Sequence, residues 1–251
     1  YHFGRGIVDS PNDFGRMGGT PTHPNLLNWL AVEFRENGGS FKELHRLILR
    51  SSVYRQTSTN NSLHSHTDSE NRFLWRMNRG RLDAESLRDT ILFVSGKLDL
   101  TQGGPSARQF IYTDDHSPRY DYTGFNVDSA PSFRRSIYRF LVRSVPDPMM
   151  EILDYPDPSL LTPKRNSTLT AQQALVLLNN PLMIRQAEHL AERLRGMHQN
   201  LDGQIKKAYL LAFNREPRID ESRIMVGLAV KHGLANACRV LLNSNEFMFI
   251  D

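Results

Sequence analysis

The stretch from Asn180 to Leu194, NPLMIRQAEHLAERL, decides the fold. Asn180 sets a side-chain acceptor ahead of Pro181, so a capping residue is followed by a first helical residue that has no N–H to satisfy. Met183, Ala187, Leu190, Ala191 and Leu194 then recur at three- and four-residue intervals and share one face of a helix. A helix of that length with a continuous apolar stripe needs other helices to cover it.

Its neighbours supply them. Ala171, Ala174, Leu175 and Leu178 predict a helix before it. Asp202 reads as the cap of one after it, carrying Ile205, Ala208, Tyr209 and Ala212, and two more follow near 220–232 and 234–243. In the last, Leu234, Ala237, Cys238, Leu241 and Leu242 form an apolar stripe. The single cysteine therefore reads as a buried structural thiol, and one cysteine excludes an internal disulfide or a thiolate metal cluster.

Towards the N-terminus, a Gly-punctuated segment leads to Thr22-His23-Pro24, which announces a helix bearing Leu27, Leu30, Ala31 and Phe34 and stopped by Asn37-Gly38-Gly39. Ser40 to Glu43 is a capping-box pattern opening a second helix with Phe41, Leu44 and Ile48 inside. Residues 57–70 read as a polar surface loop, followed by a helix through Phe73, Leu74 and Met77. A further helix runs from Asp83 as cap through Leu87, Ile91 and Val94 to Gly96. From 97 to 131 the periodicity disappears, and the aromatics of that segment predict a long, ordered loop. Residues 133–144 fit a helix better than a strand, and the prolines between 146 and 163 leave room for one short helix. The expected fold is mostly α: an irregular multi-helix bundle with long ordered loops and little or no sheet. It forms one domain over 1–251, divisible into subdomains 1–130 and 131–251.

With 39% hydrophobic and 23% charged residues, the chain has ordinary globular composition, which excludes wholesale disorder. No apolar run approaches the roughly 18–20 residues of a membrane span. The formal charge is +4, and Arg outnumbers Lys 25 to 6, a bias that suits bidentate pairing with carboxylates or oxyanions and also arises from GC-rich coding. The charge is spread rather than blocked, so nucleic acid is an unfavoured partner.

Two polar clusters carry candidate chemistry. One is His2, Arg5, Asp13, Arg16 and His23. The other is Arg76, Arg79, Arg81, Asp83, Glu85 and Asp89, with Arg72 and Arg88 beside them. Glu85 and Asp89 stand one helical turn apart and could present two carboxylates to a sugar, but Arg–carboxylate pairing that fixes a turn explains the set better. Tyr112, Tyr120 and Tyr122 are the loop aromatics that could contact a ligand. His64 and His66 lack a further ligand at metal spacing, so no metal site is expected. No Ser-His-Asp set, zinc helix or paired-Asp metal loop is recognisable.

Several strings in order carry a resemblance: YHFGRGIV (1–8), PNDFG (11–15), PTHPNLL (21–27), LILRSSVYRQ (47–56), RLDAESLRD (81–89), QALVLLNN (173–180), AFNREP (212–217) and LLNSNEF (241–247). Together they closely resemble the planctomycete-type domain of unknown function 1553. The resemblance implies a large extracytoplasmic or periplasmic protein, with a second uncharacterised domain and often a cytochrome c domain upstream, associated with degradation of often sulfated polysaccharides. It implies no established activity. It also implies further helix before Tyr1, so the chain is expected to be N-terminally truncated. The Cys-x-x-Cys-His haem pattern is missing, so no cofactor is expected in this chain, and any haem belongs upstream.

Three functions follow as expectations. The preferred one is a non-catalytic scaffold or interaction module whose partners are upstream domains of the same polypeptide. The alternative is a carbohydrate-active enzyme or sugar-binding module, which requires a concave pocket lined by the loop tyrosines with convergent carboxylates. The third is a nucleic-acid binder, suggested by pI alone.

Overall fold

The computed structural model describes residues 2–250, which fold as two compact units: residues up to Arg81 with Phe249 and Ile250, and Leu82–Met248. The described residues are 48% helical and 6% strand, a mostly α fold with two small sheets.

In the first unit, α1 (Pro24–Glu36) starts on Pro24 after His23, and α2 (Phe41–Arg50) is capped by Ser40, whose side chain accepts the Glu43 N–H at 3.3 Å. The rings of Phe34 and Phe41 meet across the intervening turn, 5.2 Å between centroids. The polar stretch 57–70 is not all loop: Asn61 accepts the Leu63 N–H and opens α3 (Ser62–Thr67). The helix expected through Phe73, Leu74 and Met77 does not form. Asp68 accepts the N–H groups of Arg72 and Phe73, both at 2.9 Å, and buried Asn71 donates to the Arg76 carbonyl and to Asn78. Asn71 and Leu74 both take positive φ. Short polar side chains have captured the backbone groups that a helix would use. The two-residue strand β1 (Gly80–Arg81) pairs antiparallel with β4 (Phe249–Ile250).

The second unit begins with α4 (Ala84–Ser95), capped by Asp83 and ended by Gly96 at φ 80°. A Cβ at Gly96 would lie 3.1 Å from the Arg193 side chain, so both the left-handed turn and the close approach favour glycine here. The segment 97–131 is ordered but not bare loop. It carries a hairpin, β2 (Ile111–Thr113) and β3 (Arg119–Asp121), in which Tyr112 faces Tyr120, and ends in the short α5 (Ala130–Phe133). Residues 133–144 form neither the expected helix nor a strand: a single 3-10 turn over Ser136–Tyr138 is followed by extended chain. Their backbone groups are satisfied from afar, by the backbone of Asp99 and Ala107 and by side chains of α4. Arg88 donates to the carbonyls of Ser132 and Arg134, and Asp89 accepts the Ser136 N–H at 2.7 Å.

Then come α6 (Pro148–Ile152), α7 (Ala171–Asn179), α8 (Pro181–Met197), α9 (Leu201–Phe213), α10 (Ile219–His232), α11 (Leu234–Leu242) and α12 (Asn245–Met248). The cap of α9 is Asn200, which accepts the Gly203 N–H at 2.7 Å, and the expected Asp202 sits in its first turn. The central helix is α8, packed on α4, α7, α9 and α11. Met183, Ala187, Leu190, Ala191 and Leu194 are buried, as their spacing predicts, against Leu87, Ile91 and Leu92 of α4 and the Leu234–Leu242 stripe. Each large aliphatic side chain so buried contributes about 1.5–3 kcal/mol. Cys238 is 1% exposed, and burial pushes its thiol up to about 12, which leaves it inert.

Candidate functional site

The carboxylates of the second cluster are clamps. Arg165 lies bidentate on Glu85, at 2.6 and 2.7 Å, with Asp83 at 3.8 Å from the same guanidinium. Asp89 accepts from both the N–H and the hydroxyl of Ser136, at 2.7 Å each, with Arg88 at 3.5 Å and Arg135 at 3.7 Å. Arg88 is itself buried, which pushes its guanidinium down to about 10. Arg76, Arg79 and Arg81 belong to the first unit, where Arg76 stacks over Trp75 at 5.2 Å and Arg81 lies in β1 opposite Phe249. Glu85 and Asp89, one turn apart on α4, thus hold different partners.

The first cluster is not assembled. Among the described residues, no two of His2, Arg5, Asp13, Arg16 and His23 bond to each other. His2 meets His45 at 2.7 Å, Arg5 pairs with Asp9 and Glu70, Asp13 accepts the Gly15 N–H, and His23 meets the Thr22 hydroxyl at 2.9 Å. Arg16 is exposed. His64 packs against Trp75, and no three metal-ligating side chains converge among the described residues.

The loop tyrosines divide. Tyr112 and Tyr120 pair across the hairpin at 5.5 Å, and Tyr120 packs edge-on against Phe110 at 5.3 Å. Tyr122 also packs on Phe110, but it reaches a cleft of about 510 Å³ formed with residues 139–166. That volume is in the range of ligand sites, and a second depression, at the α1–α2 turn, is smaller at about 230 Å³. The Tyr122 hydroxyl donates to the Val145 carbonyl at 2.8 Å. Burial raises the Tyr122 and Tyr155 phenols, so both stay neutral donors.

Three of the four cleft carboxylates are held by the fold. Asp147 pairs with buried Arg139 and caps α6. Asp154 accepts from the N–H and hydroxyl of Thr168, and Asp157 from Ser159. Glu151 is exposed, and its carboxylate makes no hydrogen bond or ion pair among the described residues. Beyond residue 144 this wall carries no periodic signal in the sequence. Its one visible mark is the mixture of Pro146, Pro148, Pro156 and Pro158 with Asp147, Asp154 and Asp157.

A second unforeseen set lies on α8. His189, 3% exposed, has Nε2 at 2.6 Å from Asp128 and Nδ1 at 3.3 Å from Glu192. Arg185 grips the other Asp128 oxygen at 2.8 and 3.0 Å and holds that carboxyl below its usual range. With both ring nitrogens engaged, the set is closed. It ties the turn before α5 to α8.

Fold and sites together define a mostly helical protein whose second unit is held by internal arginine clamps and carries a cleft at Tyr122. The model of the family described as Protein of unknown function (DUF1553), PSD1, matches residues 1–229, and the chain belongs to that family. No curated protein and no solved structure matches it.

Proposed function

We propose that the chain is a non-catalytic interaction module of a larger extracytoplasmic protein, engaged with upstream domains of the same polypeptide. On the resemblance of its sequence, the setting is a cytochrome-linked polysaccharide-degradation system, with any haem upstream. The observation that carries the non-catalytic part is the engagement of Asp83, Glu85 and Asp89 by Arg165, Ser136 and Arg88. A catalytic pair needs one carboxyl group able to exchange protons with substrate, and these are bound to fixed partners. Among the described residues no helix is long and apolar enough to cross a membrane. Nucleic acid is disfavoured because many arginines face carboxylates or carbonyls inside the fold. The test is hydrolysis of a polysaccharide panel by the full-length protein and its Glu85→Gln variant. Turnover lost in the variant, with folding intact, sinks the reading, and unchanged behaviour supports it.

A second reading is favoured by one observation, the cleft at Tyr122. A sugar-binding role requires a concave site with a loop tyrosine and carboxylates, and the cleft is lined by Tyr122 with the free Glu151 carboxylate among three held ones. In this reading the module holds a sugar chain without cleaving it.

A further inference from the structure

The outward face of α10 is spaced to pair with itself. Asp220, Ile224, Gly227 and Lys231 follow one another at intervals of four, three and four residues, the spacing of a helix–helix seam, and all four are exposed. At 3.6 residues per turn they fall within about 60° of arc. The opposite side of the helix carries Met225 and Ala229, both buried, and α10 packs on α9 and α11. Ile219 and Val230, 83% and 74% exposed, flank the stripe, and Ile224 within it is 68% exposed. We propose that this face is a homodimer contact, in which α10 lies antiparallel to α10 of a second copy across a twofold axis.

The stripe selects a second copy as its occupant because it is complementary to itself. Its spacing reads the same from either end. An antiparallel register that sets Asp220 of one copy against Lys231 of the other also sets Ile224 against Gly227, since both pairs share one midpoint, between Met225 and Val226. The Lys231 ammonium makes no hydrogen bond or ion pair among the described residues, and the exposed Asp220 carboxylate has Arg218 no nearer than 3.7 Å. Opposite charges therefore meet twice across the axis.

Gly227 supplies a second, independent indication. It lies in the body of a regular helix, where glycine is less favourable than alanine. A Cβ there would meet nothing within 4 Å, and the residue does not take positive φ. Nothing within the chain calls for a glycine at this position. A second helix at close range does, with Ile224 of the other copy filling the space above it. The side chains of Ile219, Ile224 and Val230 together expose about 400 Å² of apolar surface, close to the apolar half of the roughly 800 Å² that each partner gives to a stable interface. Arg223, on the same face, is long enough to carry its charge to the rim.

Sedimentation velocity of the full chain over a dilution series tests this. The parent should run as a dimer that dissociates on dilution, and Ile224→Glu should weaken it at least about tenfold. Asp220→Lys alone and Lys231→Glu alone should each weaken the dimer about tenfold, because each opposes like charges twice, and the double variant should recover most of that loss. All these positions are exposed, so the variants should keep the parent's circular dichroism spectrum. A parent that stays monomeric throughout the series overturns the proposal, and so does a dimer that Ile224→Glu leaves intact. A double charge swap that recovers nothing overturns the antiparallel register.

Discussion

Arg88 on α4 donates through Nη2 to the Ser132 carbonyl at 2.5 Å, and through Nη1 to the Arg134 carbonyl at 3.0 Å and the Ser136 hydroxyl at 3.3 Å. One buried guanidinium thereby shapes a segment with no regular structure of its own. Arg88→Ala should cost about 3 kcal/mol or more, since a buried charge and three acceptors lose their partners together. Arg88→Lys should recover only part of this, because an ammonium cannot reproduce the planar fork. Denaturant unfolding measures the loss, and hydrogen exchange should place it in residues 132–140.

The Arg165–Glu85 pair should show a coupling of about 1 kcal/mol in a double-mutant cycle of Arg165→Ala and Glu85→Ala. Both side chains are partly exposed, at 32% and 23%, so the coupling should shrink as salt is added. A coupling near zero would leave the clamp without energetic weight.

Arg215 bonds to Glu221 and, with the Arg218 N–H, holds that carboxyl down at about 2. A carboxylate depressed in the folded state stabilises it above the unfolded pKa, here about 4.5. That contribution is lost as pH falls from there towards 2. Thermal melts of the parent and Glu221→Gln should therefore differ most at neutral pH and converge on acidification through this window. A constant difference down to pH 2 would contradict the assignment.

Cys238 should resist a thiol reagent at pH 8 in the native protein and react fully in denaturant, since its thiol is buried and pushed up to about 12. Prompt native labelling would show that α11 opens locally.

Leu190, fully buried at the centre of α8, is the residue whose truncation should weaken the second unit most directly. Leu190→Ala should cost about 2–5 kcal/mol, read from the denaturant midpoint at unchanged slope.

What could be read in the sequence follows the range of the forces involved. The stripe of α8, its Asn180 cap and the Asp83-to-Gly96 limits of α4 depend on residues within a few positions of each other, and they were legible. The turn at 68–78 was not. Phe73, Leu74 and Met77 carry helical spacing, but Asp68 and Asn71 take the backbone partners first. Residues 133–144 were not legible because their partners, Arg88 and Asp89, lie 46 and 47 residues from Arg134 and Ser136. At the candidate site, the arginine–carboxylate character of the second cluster was readable from composition. The identity of its partner, Arg165, 80 residues from Glu85, was not. Of the three loop tyrosines, the choice of Tyr122 for the cleft depends on hairpin register, which fixes Tyr112 against Tyr120 and sets Tyr122 beyond the strand.

The pairing of β1 with β4 has a consequence for biosynthesis. Gly80 and Arg81 leave the ribosome long before Phe249 and Ile250, so β1 waits without a partner while the whole of Leu82–Met248 is made. The second unit is closed by its own ends, the Leu82 N–H donating to the Met248 carbonyl at 2.8 Å, and it is complete one residue before the β4 strand begins. In the sequence it is an insert whose two ends meet, the arrangement in which a segment can be transplanted or circularly permuted with least disturbance.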